Sequence, residues 1–136
     1  MRRAALTALL AFSSSLTLAQ TPAPIVFFDI AGPESAKLAD FYAKVFAWNA
    51  GPDGNWSIAV TPPLTGALRA GDPTEKRLYI GVDDVAAKLT EIAANGGTID
   101  GPRFEVPGVV VLGLFKDPAG KPMGLVEMQD GKPKIP

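Results

Sequence analysis

Phe27, Asp29, Arg77 and Tyr79 are the residues of this chain whose types and spacing could do chemistry. Each pair is separated by one residue in a strand-like run, so Phe27 and Asp29 share one strand face, and Arg77 and Tyr79 share a face of another. Asp29 could serve as a general base, with Arg77 steadying developing negative charge. Alternatively, Arg77 could meet an anionic or carbonyl group of a ligand while Phe27 and Tyr79 cover its apolar part. Asp29 and Arg77 could also simply pair with each other. Trp56, beside Gly54-Asn55 on a short run, is a further candidate for lining the mouth of a site.

Other chemistries are excluded by composition. The chain has no His and no Cys, so no nucleophile activated by imidazole can be assembled. A divalent metal would have only carboxylates and carbonyls, which suit Mg²⁺ or Ca²⁺ better than Zn, Ni or Fe. Such a site would need Asp29 and Glu127 to converge. Alternation speaks against this: Gly124 and Met128 share a face and Glu127 takes the other, as a surface carboxylate at a strand end. No transition metal and no other cofactor are expected. Asp83-Asp84 reads as a helix cap, not a catalytic dyad, and Asn95-Gly96-Gly97 closes a helix where a phosphate loop would open one.

The elements that must position these residues come in two copies. Ile25 to Ile30 is an apolar run of strand length that stops at Gly32-Pro33. Leu38, Phe41, Tyr42, Val45 and Phe46 then form one helical stripe, and Trp48 ends it as a core residue. In the second copy Leu78 to Val82 is the strand, Asp83-Asp84 caps the helix, and Val85, Leu89, Ile92 and Ala93 repeat the stripe. Phe27 to Ile30 aligns with Arg77 to Ile80. Between the copies, Trp56 to Val60 and Leu64 to Arg69 read as short strands separated by Thr61-Pro62-Pro63. After the second helix come an extended stretch, Thr98 to Val106, interrupted at Gly101-Pro102, the strongly apolar strand Val109 to Phe115, a turn at Asp117-Pro118-Ala119-Gly120, and a closing strand, Met123 to Met128. The order is strand, helix and three strands, twice over.

The ends and the charge bound location and partners. Met1-Arg2-Arg3, an apolar run to Phe12, and Thr17-Leu18-Ala19 have the layout of a secretory signal peptide cut after Ala19. The expectation is an exported protein, periplasmic or secreted, with no membrane span after cleavage. Residues 20–130 would form a single domain, with module one at about 24–72 and module two at about 76–129, and 131–136 a loose tail. Without the leader, eleven basic residues face fourteen acidic ones, a net charge of −3, and no basic stripe appears. Nucleic acid is therefore not an expected partner.

Three pieces together resemble the vicinal oxygen chelate superfamily, the glyoxalase, bleomycin-resistance and extradiol-dioxygenase group. They are Phe41-Tyr42 to Phe46-Ala47-Trp48, Val82-Asp83-Asp84-Val85, and Phe115-Lys116-Asp117-Pro118-Ala119-Gly120. The segment Gly101-Pro102 to Val106-Pro107-Gly108 is similar to one in its glyoxalase-like members. The resemblance implies an α+β fold in which two βαβββ modules form a cup-shaped, mostly antiparallel sheet. It places the family's metal-ligand positions at Phe27, Arg77 and Gly124, with a fourth on or beside Gly66, and none of these is a ligand. It also implies pairing across chains, as a homodimer. Three functions follow as expectations: a protein that binds a small organic molecule in the cup, a lyase or isomerase using Asp29 and Arg77, or a non-catalytic interaction module.

Overall fold

A computed structural model describes residues 10–14 and 27–136. Most of the expected leader, and its expected cleavage site, lie outside these residues, and among the described residues no helix is long and apolar enough to cross a membrane.

Helix α1 (Ser35–Phe46) follows Gly32-Pro33, where proline fixes the backbone just before the first turn. Its apolar stripe buries Leu38, Phe41, Tyr42 and Val45, and it ends where Ala47 adopts a left-handed conformation with φ 56°. Strand β1 (Tyr79–Val82) leads into α2 (Val85–Ala94). Asp84 caps that helix by accepting from the Ala87 amide at 2.9 Å, the role expected from its type and position. Asn95 supplies the C-cap. Strands β2 (Thr98–Ile99) and β3 (Phe104–Val106) are the two halves of the stretch interrupted at Gly101-Pro102, followed by β4 (Val110–Lys116), β5 (Pro122–Gln129) and β6 (Lys132–Pro133).

The sheet runs β1-β5-β4-β2, with β3 also on β4 and β6 on β5. β1 pairs with β5 in parallel, and the other ladders are antiparallel. Both helices lie on one face, over Val82, Phe115, Met123 and Leu125, and this is the core. Gly113 lets α2 approach closely, since a Cβ there would meet Val85 Cγ1 at 2.6 Å. The architecture is α+β, and the sheet is open.

Two expectations are corrected. Among the described residues 27–78, no strand forms, so module one contributes α1 and an extended but unladdered chain. Turns at Gly51 to Gly54 and at Pro62-Pro63 interrupt it, and each proline removes a donor that a ladder would need. The C-terminal residues are not loose: β6 folds back on β5, and the Lys134 amide donates to the Glu127 carbonyl at 2.8 Å.

Candidate functional site

The face of the sheet turned away from the helices is built by alternation along β1 and β5. Ile80 and Val82 pack toward the helices, leaving Tyr79 and Gly81 on the other side; Met123, Leu125 and Glu127 do the same on β5, leaving Gly124, Val126 and Met128. Tyr79 is the register partner of Gly124, and its ring lies across that glycine, so that a Cβ at Gly124 would collide with ring atoms Cδ1 and Cε1. Met128 lies over Gly81 in the same manner, with Cγ 2.9 Å from where a Cβ would be. Two glycines thus leave a low floor, and an aromatic ring and a thioether lie down on it. Tyr79 remains 47% exposed.

Arg77 shares this face, immediately before β1. Its guanidinium and that of Arg69, which folds back over Gly71, both converge on Glu75 Oε1. The Arg77 side chain is 15% exposed, and its Nε is buried without a hydrogen-bond partner among the described residues. The ion pair with Arg69, then the charge of Arg77, holds the Glu75 carboxyl below the usual range. Glu75 and, more weakly, Tyr79 raise Arg69 above its ordinary value. Two cations thus share one carboxylate, with the charge of Asp72 also reaching it, and Arg69 is near enough to the Tyr79 side chain to be influenced by it.

The sequence candidates divide on this geometry. Arg77 lies two residues before Tyr79, outside β1, and shares Glu75 with Arg69, the cation that Tyr79 influences. Asp29 is exposed and pairs with no cation among the described residues, so the Asp29–Arg77 ion pair, one of the alternatives, does not form, and Arg77 pairs with Glu75. Phe27 is 71% exposed on the irregular chain before α1. The half-buried Trp56 ring sits 5.5 Å from both Tyr42 and Trp48 and 6.2 Å from Phe28, in the aromatic cluster beside α1. Trp48 is in that cluster, as its place in the stripe implied. Arg69 and Glu75 were missed because their meeting is made by a loop; the alternation of Glu75 with Arg77 was the one local signal.

Glu127 points away from Gly124, as alternation required, but that direction is the core and not the surface. It is 6% exposed, and it accepts from Arg103 Nε at 3.0 Å, Arg103 Nη2 and Lys134 Nζ at 3.1 Å, and the Val85 amide at 3.2 Å. The Arg103 bond, with help from Lys134 and Val85, holds its carboxyl down to about 2. It fastens the start of α2 and the C-terminal strand to β5. Asp29 and Glu127 do not converge, and no group of three acidic side chains that could hold a cation occurs among the described residues. Of the positions that the resemblance assigns to metal ligands, Gly124 offers no donor atom, and the Tyr79 ring occupies the space a side chain there would need.

A cavity of about 690 Å³ opens on the helix side, between the end of α1, β1 and the first turns of α2, with Trp48, Ile80, Asp84 and Lys88 in its wall. Lys88 Nζ is engaged there by the Val45 carbonyl at 3.0 Å and by Glu91 at 2.7 Å. This groove is separate from the Arg77 and Tyr79 face.

No protein-family model matches the chain. An anthracycline biosynthesis protein, DnrV of Streptomyces peucetius, is 27% identical over 73% of the chain, and the chain spans 45% of that relative's length. Among solved structures, an integron cassette protein from the mobile metagenome of V. cholerae aligns with a TM-score of 0.51 at 16% identity, covering 80% of this chain and 100% of that one. A glyoxalase-related enzyme from Fulvimarina pelagi aligns with a TM-score of 0.50 at 18% identity, covering 68% and 79%. The α+β arrangement is therefore the glyoxalase-like fold that it shares with these structures.

Proposed function

We propose that the protein binds a small organic molecule on the helix-free face of its sheet, with Arg77 and Tyr79 as the principal contacts and Phe27 and Asp29 at the margin, and that it does so without a transition metal. The observation that carries this reading is the pairing of Tyr79 with Gly124: the place where the fold's metal-using members would need a ligand is covered by an aromatic ring, two residues from the half-buried Arg77. A floor of this kind offers apolar contact and charge, the usual composition of a small-molecule site. A relative named for anthracycline biosynthesis is compatible with an organic ligand of some size. Binding is preferred to lyase or isomerase chemistry because Asp29, the one base considered, does not meet Arg77. With the leader at its start the protein is read as exported, and pairing of two copies would cover the open sheet face.

The test is a thermal-shift screen of the purified mature protein against small aromatic and aliphatic compounds, charged and neutral. A ligand that binds only the folded state must raise the melting temperature. The reading requires at least one such compound whose shift is lost in Arg77→Ala and kept in Asp29→Ala. A complete absence of shifts across the set would end it.

A further inference from the structure

Resting on the small-molecule reading above, we propose that the ligand is a planar aromatic anion, its ring stacked on Tyr79 and its acidic group held by Arg77 and Arg69. Two features of the face converge on that class.

The floor is flat. Gly81 and Gly124 stand on neighbouring strands with no side chain of their own, and Met128 and Tyr79 lie across them. One side of the Tyr79 ring is therefore against backbone, and the ring is still 47% exposed. A planar ring can stack on that open face over its whole area, whereas a puckered saturated ring touches it at few atoms. Glycines in strand interiors commonly mark the close approach of another group, and here the approach has been used to lower the floor.

The two cations have one pairing partner between them. Arg69 and Arg77 share the carboxylate of Glu75, and Asp72, whose charge also reaches Glu75, pairs with neither among the described residues. Arg77 Nε and Glu75 Oε1 are both buried without a hydrogen-bond partner among the described residues. A carboxylate on the ligand would give the two guanidiniums a second anionic partner, while a neutral amide of the same shape would not. Asp29 makes no ion pair with either arginine.

The experiment uses three probes of matched size on the full mature chain: 2-naphthoate, its neutral amide 2-naphthamide, and the saturated decahydro-2-naphthoate, measured by isothermal titration. We expect 2-naphthoate to bind at least ten-fold more tightly than either analogue. Arg77→Met should weaken it at least ten-fold, Arg69→Met several-fold, and Tyr79→Leu at least ten-fold, with Tyr79→Phe close to the parent. The Tyr79→Phe variant and the three-probe comparison on the unmutated chain keep the test decisive if Tyr79→Leu fails to fold. Equal affinity for 2-naphthamide overturns the anion, and equal affinity for the saturated acid overturns the stacked ring. If none of the three binds while another compound raises the melting temperature, this inference fails and the small-molecule reading survives. If no compound of any kind binds, that reading has failed first.

Discussion

The Tyr42 hydroxyl donates to Asp117 Oδ2 at 2.9 Å across 75 positions of the chain, in a place where Tyr42 is fully buried and Asp117 is 2% exposed. The other oxygen of Asp117 accepts from the Ala119 and Lys121 amides, both at 2.9 Å, which shapes the turn between β4 and β5. The bond therefore ties helix α1 to the turn that registers the two longest strands. Burial first, and then the charge and hydrogen bond of Asp117, push the Tyr42 hydroxyl far above the usual tyrosine range, so it stays a donor throughout ordinary pH.

Tyr42→Phe keeps the ring that stacks on Trp48 at 5.3 Å and removes only the donor. It should cost about 1.5 to 3 kcal/mol, because a buried carboxylate oxygen then loses its partner. Urea unfolding measures this directly. A loss of under about 0.5 kcal/mol would mean that water reaches Asp117 and that the bond is not a structural tie.

What could be read from sequence follows from which interactions are local. Both helices were legible because Leu38 to Phe46 and Val85 to Ala93 repeat with helical period, and Asp84 sits where a cap must. The motif pieces at Phe41-Tyr42 and Asp117 were legible too, but not that they touch, since that contact is made by tertiary folding. Module one was read as strands for a sound reason that did not suffice. Trp56 and Ile58 are half-buried while Ser57 and Ala59 are exposed, so the alternation is real. Alternation reports an extended chain with one side against a core; it does not report a neighbouring strand to bond. Glu127 shows the complementary failure. Its direction was right, but its partners Arg103 and Lys134 are brought in by the fold.

Acid should release the Glu127 clasp in a defined window. Its folded pKa is depressed from 4.5 to about 2, so the stabilisation it provides is present above the unfolded value and is lost as pH falls through the folded one. The melting temperature should drop between pH 4.5 and about 2, with a smaller drop over that window in Glu127→Gln. Lys134→Met should loosen β6 before the rest of the sheet, seen as faster amide exchange at Lys134. Parallel acid curves for the parent and Glu127→Gln would show that other carboxylates govern the loss.

Asp29 and Arg77 should behave as independent residues. No ion pair joins them, and Arg77 is held by Glu75 instead, so Asp29→Ala and Arg77→Ala should add in stability to within about 0.5 kcal/mol. Glu75→Ala and Arg77→Ala should not add, because deleting Glu75 leaves two guanidiniums facing each other. A large coupling for the first pair would place Asp29 back in the site.

The Tyr79 and Gly124 pair offers the sharpest test of how the face is built. A Cβ at Gly124 falls on the Tyr79 ring, and the ring is flanked by the β1–β5 ladder, so it cannot move without leaving the floor. Gly124→Ala should therefore cost about 1 to 3 kcal/mol, the scale of overpacking at a tight site. The same substitution in a Tyr79→Ala background should cost less by at least about 1 kcal/mol, since the atoms it strikes are gone. The cycle separates this steric account from a general intolerance of side chains in β5, which would make Gly124→Ala equally costly in both backgrounds. It also bears on the metal. If the coupling is as expected, Gly124→Glu in the unmutated chain should gain no affinity for Zn²⁺, because the carboxylate would have to displace an aromatic ring before it could reach a cation. Measurable Zn²⁺ affinity in that variant with Tyr79 intact would mean that the ring yields more readily than its contact with the strand implies.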